Sequence, residues 1–307
     1  MGRRFGYMVV CAMAVSALVA TAAQAAPAGA PRSAGFLVQH PCHSGRPAAI
    51  THIVVIPFEN HSYSAILGRS APPSYLKTLA SKCGTATDFT AIHVPHSLPN
   101  YLAVTSGTIS GITGDCSPSK SCITGARSIF GEVGRYHWRL WAESMPTPCS
   151  PTNTTLYAPR HAPAVYYSRL AGGECRRDML PLSGQPSIRR PFTWITPNLM
   201  DDMHDGTPAQ ASAWLANLLA GPHGLLASPQ YRSGHTAIFL WFDSGDASST
   251  LQTPIPLVVL LPGLGHRVVR HHFNDYGLLH GWEGLLGLRC LGDACLHTGF
   301  DRAFRLR

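Results

Sequence analysis

Apolar residues along this chain follow two patterns. Short unbroken runs occur at His52–Phe58 (HIVVIPF), Phe192–Thr196 (FTWIT), Thr236–Phe242 (TAIFLWF) and Ile255–Leu261 (IPLVVLL). Runs of this length, rich in β-branched and aromatic residues, predict strands buried on both faces of a parallel sheet. Between and after them lie capped segments. Ser97 and Pro99 open one that Gly107 closes, Thr207-Pro208 open a second over Ala209–Ala220 that Gly221-Pro222 end, and a third runs from Tyr276 to Leu286 before Gly287. These are helix start and stop signals. Strands alternating with helices predict an α/β fold, a mostly parallel sheet covered on both faces. The stretch from Gly107 to Pro191 reads as an insertion, and residues 26–46, rich in Ala, Pro, Gly and Ser, as a flexible linker ahead of a folded domain over 47–307.

Polar residues stand directly after three of the apolar runs. Glu59-Asn60-His61-Ser62 follow the first, Pro197-Asn198 through Asp201-Asp202-Met203-His204-Asp205 the second, and Asp243-Ser244-Gly245-Asp246 the third. Ligand sites of open α/β sheets lie beyond the carboxyl ends of the strands, so the three groups are expected to converge. Ser97 adds a hydroxyl at a helix N-terminus, where unpaired N–H groups and the helix dipole favour an anion. A serine there can attack or hold a phosphoryl group. His266, His271 and His272 cluster in sequence but lie between a strand and a helix, and are expected to form a solvated loop.

Composition adds the compartment. Arg3-Arg4, an apolar run from Tyr7 to Ala20 and the small-residue site Ala23-Gln24-Ala25 predict a signal peptide over 1–25, cleaved near Ala25, and a secreted or periplasmic product. The run is too short to span a bilayer, and no later stretch reaches the required length, so no transmembrane segment is expected. Eight of the nine cysteines lie beyond the signal, and an even count in an exported chain predicts disulfides. Cys116 with Cys122, Cys149 with Cys175 and Cys290 with Cys295 are near enough to pair locally, which leaves Cys42 with Cys83. None of them forms the C-x-x-C spacing of a zinc site. The formal charge is +8, or +6 without Arg3 and Arg4, with 13% of residues charged. That balance suits an anionic substrate, but no dense Lys/Arg run marks a nucleic-acid partner.

Five stretches carry a family resemblance: FENHSYSAILG (Phe58–Gly68), HSLPNYLAVTSG (His96–Gly107), WAESMPTPC (Trp141–Cys149), RHAPAVYY (Arg160–Tyr167) and TPNLMDDMHDG (Thr196–Gly206). In this order the chain resembles the bacterial phosphoesterase family of secreted acid phosphatases and phospholipases C, within the alkaline phosphatase superfamily. The resemblance implies a three-layer α/β/α sandwich and hydrolysis of a phosphate ester through a phosphoserine at Ser97. It further implies one divalent cation, with Mg²⁺, Mn²⁺, Ca²⁺ and Zn²⁺ all compatible, held by Glu59, Asn60, Ser97 and Asp243. His161 and His204 would be catalytic, and Asn100, Asn198 and Asp202 would contact the substrate phosphate. A phosphomonoesterase acting on a phosphorylated small molecule is the expectation. A phospholipase C-type phosphodiesterase acting on a lipid headgroup, or a silent phosphate- or glycan-binding protein, is the alternative. The chain departs from the family pattern twice: Ser244 follows Asp243 where a second carboxylate is usual, and Asp275 stands where a histidine usually enters the last helix.

Overall fold

The structure, a computed structural model, describes residues 1–2, 33–170 and 173–306. The expected signal peptide therefore lies outside the described residues, apart from its first two. Ten strands follow in chain order: β1 (His52–Phe58), β2 (Gly84–Ala86), β3 (Phe89–Thr90), β4 (Trp138–Ala142), β5 (Met179–Pro181), β6 (Phe192–Thr196), β7 (Thr236–Phe242), β8 (Leu257–Leu260), β9 (Arg267–Val269) and β10 (Phe273–Asn274). The helices are α1 (Ala34–Gln39), α2 (Tyr63–Ile66), α3 (Tyr75–Lys82), α4 (Ser97–Ser106), α5 (Ile129–Glu132), α6 (Gly173–Asp178), α7 (Pro208–Ala220), α8 (Pro229–Arg232), α9 (Asp275–Leu285) and α10 (Phe300–Phe304).

Eight strands form one sheet in the order β5-β4-β6-β1-β7-β8-β2-β9, and β3 and β10 form a separate parallel pair. From β5 to β7 every neighbour is parallel, and only β8 runs against the rest. The central strands β1 and β7 pair over seven residues, from His52 with Thr236 to Phe58 with Phe242. β6 and β7 are buried along their whole length, as is β1 after His52. This is the mostly parallel, helix-flanked α/β sheet that the apolar runs predict.

Side chains alternate across a sheet, so Phe192 and Trp194 of β6 share a face with Phe239 and Trp241 of β7. Tyr101 of α4 packs edge-on against Trp241 at 4.9 Å, and Trp282 of α9 packs against Phe239 at 5.5 Å. A second helical group, α3 and α7, packs together with α3 against β8. α7 opens with a complete capping box, Thr207 with Gln210, and with Pro208 in its first turn.

Two expectations change. The stretch from Gly107 to Pro191 is no insertion beside the sheet, because it supplies β4 and β5 to one edge. β4 alternates, burying Trp138, Leu140 and Ala142 and leaving Arg139 and Trp141 half-buried, as suits a strand near the sheet edge. Within the expected linker, residues 34–39 form α1, whose Leu37 is buried, and Cys42 is bonded to Cys83 at the end of α3. The other bridges join Cys116 to Cys122, Cys149 to Cys175 and Cys290 to Cys295, the local pairs read from spacing.

Candidate active site

The carboxyl ends of β1, β6 and β7 are stitched together by backbone hydrogen bonds. Glu59 N–H donates to the Asp202 carbonyl at 2.8 Å, and Asp243 N–H to the Phe58 carbonyl at 3.1 Å. Glu59, Asp202 and Asp243 are thereby gathered, and all three are buried. Asn60 turns the chain with φ 55°, in the left-handed region where asparagine is tolerated, and its N–H donates to Asp243 Oδ1 at 3.2 Å.

Helix α4 delivers two hydroxyls to Glu59. Ser97 Oγ donates to Oε2 at 2.8 Å and Tyr101 OH to Oε1 at 2.5 Å. Residues four apart share a helix face, which is why both reach one carboxylate. The N-cap of α4 is His96 rather than Ser97, so Ser97 is the first helical residue and its hydroxyl is not spent on capping. At the other end Gly107 adopts φ 71°, and a Cβ there would lie 2.0 Å from the Leu291 carbonyl oxygen.

His161, fully buried, stacks on Tyr101 at 5.5 Å. Its Nδ1 lies 2.9 Å from Asp202 Oδ2, and its Nε2 lies 3.4 Å from Glu59 Oε1 without a hydrogen-bond partner. Burial holds the imidazole well below its usual pKa, hence neutral. With Nδ1–H donating to Asp202, the Nε2 lone pair faces a carboxylate oxygen. Two lone pairs opposed in a buried site call for a cation between them, and an Nδ1–H held by a carboxylate is how metal-binding histidines are oriented. Glu59, His161 and Asp202 offer ligand atoms within 4.8 Å of one another. Burial, followed by the charge of Asp243, pushes the Glu59 carboxyl well up, burial raises Asp243, and burial pushes Asp202 to about 7. Three buried acids whose negative charge is disfavoured by burial fit a divalent cation, which supplies the missing counter-charge.

At the mouth, Arg160 donates to His204 Nε2 at 2.9 Å. That leaves the imidazole proton on Nδ1, which donates to Asp205 Oδ1 at 2.7 Å. Two other expected phosphate contacts are engaged with backbone. The Asn100 amide accepts from the Ile92 and His93 N–H groups and donates to the His93 and His96 carbonyls, fixing the loop before α4. Asn198 Oδ1 accepts from Met200 and Asp201 N–H, shaping the turn that delivers Asp202.

Both family departures have defined partners. Ser244 Oγ donates to Asn60 Oδ1 at 3.0 Å and lies 3.3 Å from Asp243 Oδ2, so it orients two expected ligands. Asp275 is buried behind Trp241, accepting from its Nε1 at 2.9 Å. Asp246, a possible substitute ligand by sequence, instead binds Ser248 in its own turn. His272 pairs with Asp88, and His266, His271 and His272 form no ligand group with other side chains among the described residues.

Sequence reasoning missed Tyr101, Arg160 and Asp115. Tyr101 was readable, standing four residues after Ser97 in a predicted helix. Arg160 heads the RHAPAVYY stretch and lies in a 3-10 helix over Pro159–His161, but nothing local marks its role; Asp115, which accepts from Leu98 N–H at the head of α4, lies in an irregular segment without a pattern.

The architecture is a mostly parallel α/β sheet flanked by helices with its acids at the strand ends, and a solved structure agrees on the fold. Ps i-CgsB superposes with a TM-score of 0.52 at 12% identity, covering 85% of this chain and 76% of that one. A protein of the alkaline phosphatase superfamily from Vibrio parahaemolyticus gives a TM-score of 0.48 at 12% identity, over 82% and 71% of the two chains. By sequence, the chain is 28% identical over 255 residues to a phosphatidylinositol-3-phosphatase of Mycobacterium tuberculosis, covering 79% of each. No protein-family model matches the chain.

Proposed function

We propose that this protein is an exported, metal-dependent phosphoric ester hydrolase that works through a phosphoserine at Ser97. The observation that carries the reading is the Ser97 hydroxyl, set at the head of α4 and donating to Glu59 within a buried acidic cluster of Glu59, Asp202 and Asp243. The sequence relative, named as a phosphatase, supports the same class. The four disulfides support an oxidising compartment, and among the described residues no helix is long and apolar enough to cross a membrane.

Glu59, Asn60 and Asp243, with Ser97, would hold the cation, and His161 and Asp202 flank the same Glu59 carboxylate from the other side. Bound there, a divalent ion would neutralise phosphoryl charge and favour the serine alkoxide. The chain's own residues do the rest. Ser97 gives its proton to the acidic cluster as its oxygen bonds to phosphorus and the ester oxygen leaves. Arg160, turning from His204, meets the phosphoryl oxygens, and His204, once protonated at Nε2, supplies the leaving group with a proton. Water then cleaves the Ser97–phosphorus bond and returns the hydroxyl. Monoesters fit best, because the Arg160 guanidinium at the mouth offers two parallel donors to a doubly charged phosphate.

A lipid-borne phosphate is a second reading, supported by an apolar groove. A cavity of about 250 Å³ lined by Ile66, Pro73, Leu76, Met203 and Pro208 lies beside the site. Met203, between Asp202 and His204, sits at φ 78°, so the turn that places those two side chains also supplies a wall of the groove.

The test is hydrolysis of p-nitrophenyl phosphate and of its bis-ester by EDTA-stripped protein restored with each candidate metal. Metal-dependent monoester turnover that disappears in Ser97→Ala is expected. Diester turnover alone would favour the phospholipase C type, and phosphate binding without turnover of either would show a silent scaffold.

A further inference from the structure

We infer that Asp115 occupies the anion position at the head of α4 in the free protein and thereby sets how tightly the site holds phosphate. The inference rests on the phosphoester reading above. Because Ser97 keeps its hydroxyl for Glu59, and His96 makes no side-chain cap, the head of the helix takes its acceptor from elsewhere. Leu98 N–H donates to Asp115 Oδ1 at 2.9 Å. The other carboxylate oxygen lies 3.5 Å from His96 Nδ1 and 3.9 Å from Arg160 Nε. A helix-end N–H, an imidazole and a guanidinium are the groups a phosphoryl oxygen would seek beside Ser97. Here they are gathered on the protein's own carboxylate.

Asp115 is held there by its neighbours. Cys116 is bridged to Cys122, and its carbonyl accepts from Tyr166 OH at 2.6 Å. A second observation points to a ligand beside Ser97: His161 Nε2, fully buried and without a hydrogen-bond partner, faces the Glu59 carboxylate that also holds the Ser97 hydroxyl. Asp115 keeps 32% of its side-chain surface exposed, so it can turn to water when an anion arrives.

A doubly charged phosphate must displace this carboxylate or bind against its charge. Asp115 thus weakens the hold on inorganic phosphate, the product of monoester hydrolysis, and eases its departure. It is a specificity residue that acts through charge, not a group that reacts.

The test compares the full-length, metal-loaded wild type with Asp115→Asn. Asparagine keeps the Oδ1 acceptor for Leu98 and removes only the charge. The dissociation constant of inorganic phosphate, read by calorimetry, is expected to fall about tenfold at low ionic strength and less at high salt, as partly screened charges require. KM for p-nitrophenyl phosphate should fall with it, and inhibition by product should strengthen. Asp115→Ala, which also loses the cap, should have a lower Tm but still bind phosphate more tightly than wild type. Unchanged phosphate affinity in Asp115→Asn, with wild type binding normally, would reduce Asp115 to a helix cap; weaker affinity would make it a helper and reverse the inference. If neither protein bound phosphate, the phosphoester reading itself would fail and take this one with it.

Discussion

Ser97 and Tyr101 stand one helical turn apart and donate to the two oxygens of a single carboxylate, that of Glu59. The serine is thus held by a partner that the tyrosine fixes in place. Removing the serine hydroxyl leaves that frame standing. Ser97→Ala should lower turnover at least about a thousandfold, as loss of a nucleophile does, with Tm close to wild type. Tyr101→Phe keeps the ring packing against Trp241 and His161 but frees Glu59 Oε1, so it should reduce kcat while preserving the fold. An alanine variant with near-normal activity would remove Ser97 from the chemistry.

Metal should act as a structural ligand as well as a chemical one. Glu59, Asp202 and Asp243 are buried together, so a cation that binds only the folded state raises stability by about 2.7 kcal/mol at a hundred times its Kd. EDTA should therefore lower Tm by several degrees. In Glu59→Gln and Asp243→Asn that difference should shrink, and metal content after dialysis should drop. Equal metal content in Glu59→Gln would exclude Glu59 as a ligand.

Glu283 of α9 is buried, its carboxyl oxygens have no hydrogen-bond partner, and burial pushes the carboxyl from about 4.5 up to about 8. The folded state therefore holds this proton more tightly than the unfolded chain. Stability from this group is complete below about pH 4.5 and is lost progressively as pH rises to 8. Glu283→Gln keeps the shape without the charge. Its Tm relative to wild type should rise between pH 5 and pH 8, and a constant difference across that window would show that Glu283 does not titrate there.

Asp275 is raised well above the carboxylate range by burial and accepts from Trp241 Nε1. A neutral acceptor serves the same purpose. Asp275→Asn should be nearly silent, whereas Asp275→Ala, which leaves the indole N–H buried and unpaired, should cost about 1–3 kcal/mol in denaturant unfolding. The Ser244→Glu, Asp275→His pair, which introduces the residues usual at these positions in the family the sequence resembles, should raise metal affinity through Ser244→Glu alone, since position 275 faces Trp241. A histidine at 275 that by itself strengthened metal binding would overturn that separation.

Much of this is readable in the amino-acid sequence. β1, β6 and β7 announce themselves because a strand buried on both faces needs no polar position, and their polar sequels Glu59, Asp202 and Asp243 meet because parallel strands end on the same side. β4 and β5 were hidden for the opposite reason: five and three residues long and partly exposed, they leave a weak pattern. The place of Ser97 at the head of a helix was legible but the capping of that helix was not, since the acceptor for Leu98 comes from Asp115, which a loop carries back to the helix. Asn100 and Asn198 were recognisable as special, yet an amide that braces a loop and one that contacts a ligand look identical in sequence.

The order of the disulfides has a consequence for how the chain matures. From Cys42 onward, each cysteine is bonded to the next one along the chain: 42 to 83, 116 to 122, 149 to 175, 290 to 295. A thread that enters an oxidant amino end first presents its thiols in that order. Every second sulfur to arrive finds its correct mate waiting and all earlier ones taken, so oxidation in chain order would yield the native set without any reshuffling of wrong bridges.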